Sequence, residues 1–173
     1  MAQVVYYVAS SLDGYIAPPD GSLEWLASHE ASSEDYGYAE FYRSIDAILL
    51  GRRTYEQCRT FPEWPYPGKP CWVFSHQPLK AASDHVIITA ETPEQVSSLL
   101  SEREIRHAWL VGGGQLAGSF RAARLITEYY VTVLPVLLGG GTPLFAEPGP
   151  KEDLKLVDTR KFSGGLVQLR YRR

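Results

Sequence analysis

The 173 residues, 45% of them apolar, suffice for one hydrophobic core and are too few for two of ordinary size. Lys and Arg total 17 against 20 Asp and Glu, so no basic surplus points to nucleic acid or to an anionic membrane surface, and a small-molecule partner is expected. No apolar run approaches the roughly 20 residues of a membrane span, and Met1-Ala2-Gln3 leads straight into Val4 without the pattern of a secretory signal, so the expected location is the cytoplasm.

Residues 4–9 are a nearly continuous β-prone run, the pattern of a central strand buried on both faces. The run ends at Ser10-Ser11-Leu12-Asp13-Gly14, where Asp-Gly marks a sharp turn. Ala17-Pro18-Pro19-Asp20-Gly21 is a rigid loop and a candidate lid, because each Pro fixes its own φ and restrains its predecessor. Tyr38, Phe41, Tyr42 and Ile45 have helical spacing within a predicted helix at 34–45, and 46–50 reads as a short buried strand stopped by Gly51. Residues 52–58 could open a helix. The Pro, Trp and Gly cluster at 62–70 is a loop leading into strand 71–75, and a further strand follows at 85–89.

Thr92, Pro93 and Gln95 supply an N-cap hydroxyl, a Pro at the first helical position and an amide at the third, which predicts a helix to about Glu104. Strand 108–111, Gly112-Gly113-Gly114 and helix 115–124 make a β-loop-α unit. Residues 127–138 read as a long strand interrupted at Pro135 and closed by Gly139-Gly140-Gly141, and 154–162 with 166–171 alternate around Ser163-Gly164-Gly165 as a terminal β-hairpin. The whole describes one α/β domain: a mixed, mostly parallel sheet with helices on both faces and an antiparallel C-terminal hairpin.

Three strand ends carry groups suited to an anion. Gly112, Gly113 and Gly114 precede a helix, where glycine admits a ligand close to the backbone and the helix start offers unpaired N–H groups. Gly51, Arg52, Arg53 and Thr54 repeat that placement with two guanidinium groups and a hydroxyl, and Ser75 with His76 adds two more donors. One extended phosphorylated ligand spanning these ends accounts for all three. Each cluster taken alone reads equally as a tight turn or a charged surface. The histidines His29, His76, His85 and His107 lack metal-ligand spacing, no Gly-x-Ser-x-Gly elbow is present, and Cys58 and Cys71 match no zinc or redox motif. Asp13, Glu24 and Asp35 are isolated carboxylates that could serve as proton donors or simply be solvated.

The ordered set of residues 8–17, Leu49-Leu50-Gly51-Arg52-Arg53-Thr54-Tyr55, Pro67-Gly68-Lys69, Val73-Phe74-Ser75, Val111-Gly112-Gly113-Gly114 and residues 138–145 resembles the dihydrofolate reductase fold, and more closely the stand-alone relatives of the RibD C-terminal reductase domain of riboflavin biosynthesis. The resemblance implies a three-layer, dihydrofolate reductase-like fold and an NADPH-dependent reductase. It assigns Gly51, Arg52, Arg53 and Thr54 to the coenzyme phosphates, Ser75 and His76 to the 2′-phosphate, and Gly112 to Gly114, flanked by Val111, Gln115 and Leu116, to the pyrophosphate. Ala9 and Ile16 match positions lining the nicotinamide, Thr132 matches a strand residue near the substrate ring, and Trp25 and Tyr55 fall in segments that face substrate.

The chain departs from both patterns around the substrate. Glu24 stands in a Ser-Leu-Glu-Trp context rather than the Pro-Trp context of dihydrofolate reductases, and Tyr15 stands where riboflavin reductases have a basic residue. The expected chemistry is hydride transfer to a C=N or C=O of a small heterocycle or sugar imine, with Asp13 or Glu24 handling the proton. Dihydrofolate reduction and a non-catalytic nucleotide-binding module are the alternatives. An interaction domain displaying Tyr36, Trp64 and Tyr66 is a third. A homodimer is expected from the resemblance.

Overall fold

A computed structural model describes residues 2–27 and 34–173. Strands β1 (Gln3–Ser11), β2 (Tyr15–Ala17), β3 (Ala47–Gly51), β4 (Cys71–Phe74), β5 (Val86–Thr89), β6 (His107–Gly112), β7 (Ile126–Leu134), β8 (Thr142–Pro143), β9 (Lys155–Lys161) and β10 (Val167–Arg172) alternate with helices α1 (Glu24–Ala27), α2 (Tyr38–Ser44), α3 (Arg52–Cys58), α4 (Pro93–Glu102) and α5 (Gly114–Ala122). Eight strands form one sheet in the order β5-β4-β3-β6-β1-β7-β10-β9. Pairings from β5 through β7 are parallel, and β10 runs antiparallel to both β7 and β9. Among the described residues, no helix is long and apolar enough to cross a membrane.

The period-2 alternation of the strands sorts the core into two layers. Val4, Tyr6, Leu49, Trp72 and Leu110 face α4 and α5, which contribute Val96, Leu100, Ala117 and Phe120. Val5, Ile48, Leu50, Val73 and Trp109 face α2 and α3, which contribute Phe41, Ile45, Tyr55 and Cys58. Because β1 is flanked by β6 and β7 and covered on both faces, its sequence can be apolar almost throughout.

Local chemistry explains where the elements stop. The Thr92–Gln95 capping box is complete, with Gln95 N donating to Thr92 Oγ1 at 3.3 Å and Thr92 N donating to Gln95 Oε1 at 2.8 Å. α4 closes two residues short of the expected end because Glu104 takes a left-handed φ of 58° and Ile105 N returns to Leu100 O, a Schellman closure. α5 ends the same way through Arg124 and the Leu125 N to Phe120 O bond. α2 starts at Tyr38 rather than 34, since Tyr36 and Gly37 are both left-handed and the Asp35 carboxylate accepts from Gly37 N and Ala39 N. β7 stops at Leu134, ahead of Pro135. Tyr66 is buried against Trp64 and Trp109, and Trp64 and Tyr36 are half-buried, so these aromatics do not form the exposed display expected of an interaction domain.

Candidate active site

The ends of β3 and β6 meet through glycine. A Cβ on Gly51 would lie 3.3 Å from Gly113 N and 3.4 Å from Gly112 O, and one on Gly113 would lie 3.6 Å from Thr54 Oγ1. The starts of α3 and α5 therefore stand side by side. Neither Gly51 nor Gly113 provides a side-chain cap, so the first amides of both helices are left for a ligand. The Gly112–Gly113 peptide is cis. At this junction Arg52 donates to both carboxylate oxygens of Glu56 at 3.0 Å, whereas Arg53 is exposed and its side chain, among the described residues, forms no hydrogen bond or ion pair.

Leu116 packs into the core beneath the junction, while Val111 is half-buried and Gln115 exposed at its rim. At the end of β4 the buried Ser75 hydroxyl donates to Gln77 O at 2.8 Å and accepts from Gln77 N at 3.1 Å, so it shapes the turn, and the exposed His76 is the open donor there.

The turn after β1 is locked to a distant loop. Asp13 Oδ1 accepts from Ser11 Oγ at 2.6 Å and from Leu138 N at 3.1 Å, and Oδ2 accepts from Gly139 N at 2.7 Å. The Ser11 hydroxyl, with help from the two backbone amides, holds the Asp13 carboxyl below the usual carboxylate range. A carboxylate that accepts these three hydrogen bonds anchors the loop at 138–139. Ile16 lies on β2, paired with β8 in a two-stranded ribbon that also reaches α5: Ala146 N donates to Gly114 O, and a Cβ on Gly114 would come within 2.4 Å of Pro143 O. Glu24 is exposed at the start of α1, followed by the half-buried Trp25, and Gln57 on α3 donates to Gly21 O just ahead of them.

Beyond Ala9 the site continues along the sheet. Strand register places Ala9, Thr132, Gln168 and Arg160 in one row across β1, β7, β10 and β9. The adjacent row holds Tyr7, Tyr130, Arg170 and Asp158. Between α2 and the sheet face around Tyr7 lies a cavity of about 270 Å³, lined by Val5, Tyr7, Phe41, Tyr130 and Gln168 and by the charged side chains of Glu40, Glu128, Asp158, Arg160, Arg170 and Arg172; Ala9 and Thr132 are not part of its lining. Tyr7 and Phe41 stack at 4.2 Å, giving the cavity an aromatic wall. Gln168 Nε2 donates to Thr132 Oγ1 at 3.0 Å in a buried contact. Burial raises the Tyr7 hydroxyl above its ordinary pKa, with the facing Gln168 amide opposing the rise. The nearly buried Glu128 carboxylate, also in the lining, accepts from Arg170 and Arg172.

Tyr55 does not join this site. It is fully buried, its hydroxyl donates to Lys80 O at 2.9 Å and its ring meets Trp64 edge-on, so it is a core residue and its expected contact with substrate is corrected. Sequence reading missed Tyr7, Gln168 and Arg160. The available signal was a polar residue, Gln168, at an inward position of an alternating strand. Among the described residues there is no group of three or more His, Cys, Asp or Glu able to hold a metal, and His29 lies outside the described residues.

Comparison with known proteins settles the lineage. The family model of the RibD C-terminal domain matches residues 2–168. The chain belongs to the RibD C-terminal domain family. Within it, the uncharacterized Bacillus subtilis protein YwjB is 39% identical over 170 residues, covering 98% of this chain and 97% of that protein. The crystal structure of a provisionally assigned riboflavin biosynthesis protein from Shewanella sp. PV-4 superposes with a TM-score of 0.90 at 30% identity, over 100% of this chain and 99% of that one. The diaminohydroxyphosphoribosylaminopyrimidine deaminase/5-amino-6-(5-phosphoribosylamino)uracil reductase of Thermotoga maritima shares the fold with a TM-score of 0.76 at 19% identity, over 99% of this chain and 56% of that one. The chain thus spans nearly the whole of YwjB and of the Shewanella protein and about half of the Thermotoga one, with the α/β architecture they share.

Proposed function

We propose that this RibD C-terminal domain protein is an NADPH-dependent reductase that transfers hydride to a C=N or C=O of a small planar heterocycle. The observation that carries the reading is the abutment of Gly51 on Gly113, which brings two uncapped helix starts, Thr54 and the unpaired Arg53 together at the strand ends beside β1. In this reading the junction holds the coenzyme pyrophosphate, Arg53 and His76 meet the 2′-phosphate, and Ala9 with Ile16 lines the nicotinamide. The coenzyme supplies the hydride. The protein's own contribution is to hold the acceptor ring against the sheet face that carries Thr132, beside the stacked rings of Tyr7 and Phe41. With Asp13 committed to the loop, the proton comes from solvent, with Glu24 as the relay at the rim.

The commitment of Asp13 is also the observation that favours the second reading, a nucleotide-binding module without turnover. Fluorescence titration with NADPH and NADH separates the possibilities. Preference for NADPH, with affinity falling about tenfold in Arg53→Ala as one charge-assisted contact is lost, supports the coenzyme site. Binding without coenzyme oxidation across pterin, pyrimidine and carbonyl acceptors would support the module. Equal binding of both coenzymes, unaltered in Arg53→Ala, would defeat the assignment.

A further inference from the structure

Residues 143–150 leave β8 and run along one face of α5, and glycine is what lets them lie there. A Cβ on Gly114 would stand 2.4 Å from Pro143 O, and one on Gly118 would stand 2.7 Å from Glu147 Cβ and 2.9 Å from Glu147 N. Positions 114, 118 and 121 share that face at the spacing of successive helical turns. Arg121 completes it, donating to Pro150 O at 3.0 Å with its guanidinium 5.4 Å from the centre of the Phe145 ring. Near its start the segment is tied three times. Ala146 N donates to Gly114 O at 3.1 Å, Leu144 N donates to Gly14 O at 2.9 Å, and Leu144 O accepts at 2.9 Å from the hydroxyl of the fully buried Tyr6. One short stretch of chain therefore touches the start of α5, the turn after β1 and the core.

We propose that residues 143–150 form a strap that couples the turn after β1 to the first turn of α5, with Gly118 as its seat and Tyr6 as its positioning residue. Leu144 and Ala146 are two residues apart, so a shift of the strap that lengthens the bond to Gly114 O also lengthens the bond to Gly14 O. Gly118 lies about one helical turn, roughly 6 Å, beyond Gly114 and outside the junction of Gly51 with Gly113. An alanine there suits the helix better than glycine, yet it meets the backbone of Glu147, and the strap has to yield. Tyr6 works from the opposite side: its hydroxyl holds the Leu144 carbonyl inward and its ring packs 5.5 Å from that of Phe145, which draws the strap onto the sheet. Both residues are buried, so they act on a ligand through the strap and not by contact.

The effect on coenzyme rests on the reductase reading, whereas the coupling does not, and the experiment separates them. Gly118→Ala and Tyr6→Phe are compared with the wild type and with Tyr55→Phe, which gives up one buried tyrosine hydrogen bond in the other core layer. Hydrogen exchange without coenzyme reads the coupling: the amides of Leu144 and Tyr15 exchange about tenfold faster in Gly118→Ala and Tyr6→Phe and as in the wild type in Tyr55→Phe. Titrations read the consequence: NADPH affinity falls about fivefold in the two strap variants, while adenosine 2′-monophosphate, which in that reading meets only Arg53 and His76, binds as before. Thermal unfolding establishes that the variants are folded, and the near-isosteric Tyr6→Phe carries the comparison where Gly118→Ala does not fold. Unaltered exchange at Leu144 and Tyr15, the same changes in Tyr55→Phe, an unaltered NADPH affinity, or an equal loss of both ligands would overturn the proposal. A wild type that binds neither ligand overturns the reductase reading instead, and exchange alone then decides the strap.

Discussion

The two halves of the sheet build their shares of the site by different means. On the parallel side, β4, β3 and β6 deliver backbone: glycines that let strand ends touch, helix starts with unspent amides, and side chains arriving one residue after a strand stops. On the side of β7, β10 and β9, the candidate groups sit in mid-strand, and what brings Thr132, Gln168 and Arg160 together is register. The first half is specified by short contiguous motifs. The second is specified by the pairing of β10 with β7, more than 30 residues away, added to the local β9–β10 hairpin, and its tolerance of substitution should differ accordingly.

The sharpest way to break the parallel half is to add bulk at its junction. Gly114→Val places a side chain where even a Cβ would lie 2.4 Å from Pro143 O, a backbone atom that cannot step aside. The expected loss is about 3 kcal/mol or more of stability together with coenzyme binding, read by urea unfolding and fluorescence titration. The antiparallel half should fail more gently. Glu128→Gln leaves Arg170 and Arg172 facing a neutral amide where they had a carboxylate 8% exposed. Because Arg172 is 53% exposed and recovers water, the cost should be about 2 kcal/mol rather than the roughly 3–5 kcal/mol of a fully buried pair. The same unfolding series reports it. Smallest is Tyr55→Phe, which removes only the bond to Lys80 O: about 1 kcal/mol lower stability with KM for substrate unchanged would confirm a core role, whereas a raised KM would return Tyr55 to the site.

The same contrast explains what could be read from the amino acids. The β-loop-α unit around Gly112, the Thr92 capping box and the central character of 4–9 each depend on neighbours in sequence, and each is found in the structure as expected. The β2–β8 ribbon was illegible because three residues and two carry no period, and their pairing spans 125 residues or more. Asp13 looked like an available acid because nothing in the turn itself discloses that Leu138 and Gly139 will take its oxygens. Tyr55 misled for the opposite reason. Its motif is suited to ligand contact, yet the helical turn that exposes Arg53 directs Tyr55 into the core.

The position of β1 has a consequence for synthesis. Both of its neighbours, β6 and β7, begin more than 100 residues after β1 begins, at His107 and Ile126. At the usual pace of about 5–20 residues per second, a nascent chain holds this apolar segment unpaired for roughly 5–20 s before a partner emerges. The interval makes β1 the strand most in need of chaperone cover while the domain is being made.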